Sequence, residues 1–261
     1  MCRLAAYLGE PLYLEELIAK PRHSLLRQSL HADLAKVATH GDGFGIGWYG
    51  ERDEPGVYRE ALPAWNDENL VALAQTLRSR LFFAHVRAAT AGASARANCH
   101  PFRHGRHLFM HNGQIGGYAE LRRALEARLP DDLYAERRGG TDSELIFLLT
   151  IARLRDGAAP DAALLAVIAE ITALMHERGV EAPLRCTAVL SDGRTLWALR
   201  AASDGKPPTL HLRRCAGGTI VASEPLCDDS RGWQALPPGA LVTISADGCR
   251  IDAGRETALA A

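Results

Sequence analysis

The stretch Gly41-Asp42-Gly43-Phe44-Gly45-Ile46-Gly47-Trp48-Tyr49 places glycine at every second position, opposite Phe44, Ile46 and Trp48. Successive side chains of a strand leave opposite faces, so one face here is bulky and apolar and the other is bare. A bare face lets another backbone or a ligand approach closely. The spacing and the following helix of a dinucleotide fingerprint are both missing, and that reading is rejected.

The second constraint is chemical. Cys2 follows Met1 directly, and aminopeptidases remove methionine before small residues, so the mature chain is expected to span 2–261. The thiol of Cys2 and a new α-amine would then share one Cα. With a thiol pKa of about 8.5 and an α-amine pKa of about 7.7–8.0, the amine can accept the thiol proton near neutrality. With Met1 attached, the amine is displaced and the base is lost. A second reading of Cys2 is a small buried hydrophobe at the head of a first strand.

A net charge of −1 over 261 residues gives no electrostatic basis for binding nucleic acid or an anionic membrane. No apolar run reaches membrane-spanning length; the greasiest, residues 162–175, is interrupted by Glu170. The N-terminus lacks a secretory pattern. The six cysteines are scattered without a C-x-x-C pair, which suits reduced thiols and a cytoplasmic protein.

Hydrophobic spacing predicts a first strand over residues 3–8, closed by Gly9. Helices are predicted over residues 14–19 and 24–38, and from Asn66 onward with an asparagine cap. Strands over residues 81–86 and 107–111 follow, then an amphipathic helix over 118–129. Thr141-Asp142-Ser143-Glu144 fits a capping box, with Thr141 as N-cap and Asp142 as first helical residue. Asp161 is expected to cap a helix buried through Leu164, Leu165, Ile168, Ile171 and Met175. Residues 187–190 and 195–199 read as a hairpin, with strands over 209–213, 219–223 and 241–245 after it. Strands at both ends and helices between them predict one interleaved α+β domain over residues 1–261, with no linker.

Four stretches line up in order: Met1-Cys2, His85-Val86-Arg87-Ala88-Ala89-Thr90, His111-Asn112-Gly113 and Thr141-Asp142-Ser143-Glu144. Together they resemble the class II, N-terminal-nucleophile glutamine amidotransferases. Asn98-Cys99-His100-Pro101-Phe102 and Ser223-Glu224-Pro225-Leu226 further resemble the small stand-alone branch that includes the γ-glutamyl amidohydrolase of ergothioneine synthesis. The resemblance implies an αββα fold, a four-layer sandwich of two antiparallel sheets between helices. It also implies a catalytic set of Cys2 as nucleophile and Asn112 and Gly113 as oxyanion hole. Arg87 and Thr90 would take the substrate carboxylate, Asp142 its ammonium, and His100 would lie beside it, with Glu224 a further candidate. No metal or organic cofactor is implied.

Each position also has a plainer reading. Asn-Gly is the commonest tight-turn dipeptide, a lone arginine after a strand is often on the surface, and a carboxylate at a helix start is favourable without any ligand. The large synthases carry tryptophan and histidine where this chain has Ala88 and Ala91, which leaves two enzymatic readings. One is a hydrolase of a γ-glutamyl amide; the other is a glutaminase feeding ammonia to a separate synthetase. Two rivals come from other classes: an inactive family member kept as an interaction module, and a metal-binding protein using Cys99, His100, His104, His107 and His111. No zinc spacing supports the metal reading.

Overall fold

The strand that begins beside Cys2 becomes a central member of the first sheet. The structure, a computed structural model, describes residues 2–34, 39–89, 94–229 and 232–253. Strand β1 (Arg3–Tyr13) leads through α1 (Glu15–Ile18) and α2 (Leu25–Leu30) to β2 (Phe44–Trp48) and β3 (Gly56–Glu60). Helix α3 (Glu68–Thr76) and β4 (Arg78–Val86) follow, then the hairpin of β5 (Phe102–His104) and β6 (His107–Gln114). Four helices come next: α4 (Tyr118–Glu126), α5 (Asp131–Glu136), α6 (Asp142–Arg155) and α7 (Pro160–Glu177). The chain closes with β7 (Arg185–Ser191), β8 (Leu196–Ala202), β9 (His211–Cys215), β10 (Gly218–Ala222), β11 (Gln234–Ala235), β12 (Ala240–Ser245) and β13 (Gly248–Asp252).

Among the described residues the strands form two antiparallel sheets. One has the order β11-β9-β10-β1-β4-β2-β3, the other β13-β12-β8-β7-β6-β5. Three apolar layers hold the stack together. Phe44, Ile46, Phe82 and Val86 pack on α1–α3; Leu4, Leu81, Phe83, Met110 and Val189 fill the space between the sheets; Phe109, Phe147, Ile168 and Leu190 pack beneath α4–α7. Burying each such side chain contributes about 1.5–3 kcal/mol. The result is the αββα sandwich expected from the sequence.

The glycine face of β2 is covered by chain, not by ligand. A Cβ on Gly47 would stand 2.8 Å from Leu108 and 2.9 Å from Pro101, one on Gly43 2.5 Å from Cys99 Sγ, and one on Gly45 would collide with the His100 carbonyl oxygen. The bare strand is what allows the Cys99-His100-Pro101 segment to lie flat against it.

Several boundaries differ from the sequence reading. Strand β1 runs past Gly9, with a register shift between Leu8 and Leu12. Helix α2 stops at Leu30, well short of residue 38, because the N–H groups of Asp33 and Leu34 are taken by the Glu224 carboxylate; residues 35–38 lie outside the described residues. The cap of α3 is Asp67, not Asn66: its Oδ1 accepts Leu70 N at 2.7 Å. Helix α7 starts one residue before Asp161, at Pro160, whose missing N–H costs nothing at a first helical position. Asn112 and Gly113 belong to β6, paired with β7, and form no turn.

Candidate active site

Cys2 stands one residue ahead of β1, and strand alternation turns it toward the same inter-sheet layer as Leu4 and Ala6. It is half-buried, and its Sγ donates to the Ala88 carbonyl oxygen at 3.7 Å. Burial pushes the thiol pKa up, while the Arg87 and Arg3 guanidinium charges pull against that shift. A thiol held this way needs a nearby base to react at neutral pH.

Cys2 shares the wall of a cavity of about 360 Å³ with Arg87, His100, Gly113 and Asp142. The elements that bring them together are the head of β1, the end of β4, the end of β6 and the start of α6, four segments distant in sequence. Asn112 does not line the cavity. It is fully buried on the face of β6 that carries Leu108 and Met110, the layer toward which Cys2 turns, and its amide has no hydrogen-bond partner among the described residues. Thr90 lies outside the described residues.

Gly113 has φ +150°, and a Cβ there would run into the Arg185 carbonyl, so close strand approach excludes any side chain. Arg87 is buried, donating from Nη1 to the Asp42 carbonyl at 3.3 Å. Asp142 heads α6, where the helix dipole favours its charge. Its Oδ2 accepts Ile115 N at 2.8 Å and its Oδ1 accepts Ser143 N at 2.8 Å, so the carboxylate is fixed at the cavity wall. A guanidinium and a carboxylate on one wall suit a zwitterionic head group.

The carboxylate of Glu144 departs from the capping-box expectation. Thr141 caps as predicted, accepting Glu144 N, but the Glu144 side chain reaches Arg138 N at 2.9 Å and Gly139 N at 2.7 Å. Gly140 N donates to Asn98 Oδ1 at 3.0 Å. These bonds shape the cavity rim, and nothing in the local pattern signals them.

Buried imidazoles floor the site. The His85 and His100 rings lie 4.2 Å apart, centre to centre. Burial holds His85 down to about pKa 3, against the pull of the His111 backbone, and holds His100 well below its ordinary value, with the Arg87 charge adding to both shifts. His111 is lowered by burial against the pull of Asp142. His111 Nδ1 is hydrogen-bonded to Ser143 Oγ at 2.8 Å, Ser143 Oγ lies 3.3 Å from Asp142 Oδ1, and His111 Nε2 lies beside Gly113. His85 and Ser143 were not picked out by the sequence reading. Arg3 was also missed, and a charge inside an apolar strand was its available signal.

Of the crowded cysteine and histidines of residues 99–111, His100 and His111 reach the cavity and the others turn elsewhere. His104 pairs with Glu136 at 2.7 Å, and Cys99 Sγ lies 3.3 Å from the Glu60 carbonyl oxygen. Among the described residues no three histidine, cysteine or acidic side chains are grouped to hold a metal. No helix among them is long and apolar enough to cross a membrane.

Comparison with known proteins places the chain in a family. Residues 23–214 match the family described as "Glutamine amidotransferases class-II". A Saccharomyces cerevisiae protein named "Probable glutamine amidotransferase DUG3" is 30% identical over 291 residues, covering 94% of this chain and 82% of the relative. The γ-glutamyl-hercynylcysteine sulfoxide hydrolase of Mycolicibacterium smegmatis is 31% identical over 247 residues, 94% of this chain and 96% of the relative. The structure of a glutamine aminotransferase class-II domain protein from Silicibacter pomeroyi superimposes with TM-score 0.75 at 36% identity, over 97% of this chain and 99% of that one. Glutamine phosphoribosylpyrophosphate amidotransferase of B. subtilis shares the fold alone, with TM-score 0.64 at 15% identity over 97% of this chain and 49% of that one. With the family match spanning most of its length, this chain belongs to the class II glutamine amidotransferases.

Proposed function

We propose that the chain is a γ-glutamyl amide hydrolase whose nucleophile is Cys2, made N-terminal by loss of Met1. One observation carries the reading: a thiol, a buried guanidinium and a fixed carboxylate line one cavity. Arg87, with Thr90 beside it in sequence, holds the α-carboxylate of the glutamyl group, Asp142 holds its α-ammonium, and His100 packs alongside. The γ-carbonyl is thereby brought to Cys2 Sγ. The α-amine of Cys2 takes the thiol proton, and sulfur attacks the carbonyl carbon. Charge on the carbonyl oxygen is met by the Asn112 side-chain N–H and the Gly113 backbone N–H. The C–N bond breaks, the α-ammonium passes its proton to the departing nitrogen, and a γ-glutamyl thioester remains. Water, deprotonated by the same amine, attacks the thioester and frees glutamate and the thiol.

The small side chains of Ala88 and Ala89 on the cavity wall leave room for a leaving group larger than ammonia. A relative named for a γ-glutamyl compound supports that choice over free glutamine. The family match starts at residue 23, so the role of Cys2 stands on its place at the cavity. The apolar layers run unbroken through both sheets, which supports one catalytic domain over residues 1–261. The cysteines are free, which supports a reducing, cytoplasmic setting.

Intact mass of protein from cells is expected to correspond to a chain starting at Cys2. Glutamate release should be seen from γ-glutamyl peptides or amines, and Cys2→Ala should abolish it while the circular dichroism spectrum is unchanged. Undiminished release by Cys2→Ala would refute the assignment.

A further inference from the structure

Behind the nucleophile lies an ion pair that this chemistry does not use. Arg3 is fully buried in β1; its Nη1 donates to Glu224 Oε1 at 2.7 Å and its Nε donates to the carbonyl oxygen of Cys2 itself at 2.7 Å. Glu224 is almost as buried, and it accepts Asp33 N at 3.1 Å and Leu34 N at 3.0 Å. Its neighbour Ser223 is clamped to β1, accepting Leu4 N on its hydroxyl at 3.1 Å and donating its own N–H to Leu4 O at 2.9 Å. An apolar pair of similar volume would commonly be as stable as a buried ion pair, so stability alone does not account for this one. What an apolar pair could not supply is the bond to the Cys2 carbonyl.

That bond matters because a chain beginning at Cys2 has no preceding peptide to hold its first residue, and free termini fray. Fixing the Cys2 carbonyl removes rotation about its Cα–C bond and so aims the amine and the Cα–Cβ bond that carries the thiol. We propose that Arg3 and Glu224 are a positioning pair that holds Cys2 by its carbonyl and keeps the local field at its amine balanced. The inference rests on Cys2 being the nucleophile. Arg87 and Arg3 are the charges that face Cys2. On the far side His211 faces both members of the pair, with its Nδ1 on Ser223 O at 3.2 Å and Arg200 beyond it. The exposed Asp33 carboxylate is turned to His31.

The test is the pH profile of kcat in three variants, each checked for folding by thermal melting. Glu224→Gln leaves the Arg3 charge uncompensated beside the amine, favours the neutral amine, and moves the acid limb to lower pH by about half a unit or more. Arg3→Lys keeps the charge but lacks Nε; its acid limb stays put while kcat falls about tenfold or more at unchanged KM. The neutral double variant Arg3→Gln/Glu224→Gln returns the limb to its wild-type position with kcat still low, and it serves as the reading if a single variant does not fold. Wild-type kcat and an unmoved limb in the folded variants overturn the inference. Cys2→Ala run alongside separates the outcomes: residual glutamate release there would instead overturn the nucleophile assignment.

Discussion

A side chain at Gly45 would occupy the position of the His100 carbonyl oxygen. This one relationship ties the bare face of β2 to the floor of the cavity, because His100 lines the cavity and its ring packs at a tilt against that of His85. Gly45→Ala is therefore expected to cost about 1–3 kcal/mol in denaturant unfolding and to lower kcat by displacing His100. Gly50→Ala, where a Cβ would meet nothing within 4 Å, is the control and should leave both unchanged.

Asn112 is buried with no hydrogen-bond partner among the described residues. Replacing it breaks no hydrogen bond among those residues, so Asn112→Ala should lose only the packing of a small side chain, about 1–2 kcal/mol in denaturant unfolding. Its kcat should nevertheless fall by about 10²–10³-fold, the usual loss of one oxyanion donor. A stable variant of unchanged kcat would remove Asn112 from the oxyanion hole.

Arg87 and Asp142 are expected to act on KM. Arg87→Lys keeps the charge but loses the planar fork, and should raise KM for a γ-glutamyl substrate by about 10–100-fold. In Asp142→Asn the amide oxygen can accept either the Ile115 N–H or the Ser143 N–H, each made at 2.8 Å, but not both, so folding of the variant is checked by thermal melting. The substrate α-ammonium loses its counter-charge, and a des-amino substrate analogue should therefore be hydrolysed equally well by variant and wild type.

The buried imidazoles set an acid limit on stability. His85 and His100 have folded-state pKa values far below the roughly 6.5 of an exposed histidine, His85 at about 3. Above pH ~6.5 neither the folded nor the unfolded chain binds these protons, and stability is unaffected. As pH falls from ~6.5 toward 3, only the unfolded chain takes them up, so stability drops by up to about 1.4 kcal/mol per pH unit for each histidine. Tm should decline across that window. His85→Phe should flatten the decline, and an equal slope in that variant would show that the acid sensitivity arises elsewhere.

The Glu144 carboxylate binds the Arg138 and Gly139 amides, next in sequence to Gly140 on the cavity wall. Glu144→Gln can satisfy only one of the two with its carbonyl oxygen and turns a donor toward the other. Hydrogen exchange of residues 138–140 should accelerate about tenfold, by the ~1–1.5 kcal/mol of one such bond, while the amides of β7 and β8 stay protected.

The sequence by itself determined what depends on residues a few positions apart. Alternation made β2 a strand with one bare face, Thr141 capped α6, and the spacing of Leu164, Ile168, Ile171 and Met175 fixed the buried stripe of α7. The ordered motifs also pointed to the family and, through it, to the four layers. Tertiary structure decided what local pattern leaves open. Asn112-Gly113 is compatible with a turn or a strand, and only pairing with β7 makes it strand. Glu144 had a local partner and took two others, α2 ended where Glu224 captured its next amides, and Arg3 found a carboxylate 221 residues away. Such contacts are set by sheet register and layer packing, whose energies belong to the assembled fold and leave no periodicity in the chain.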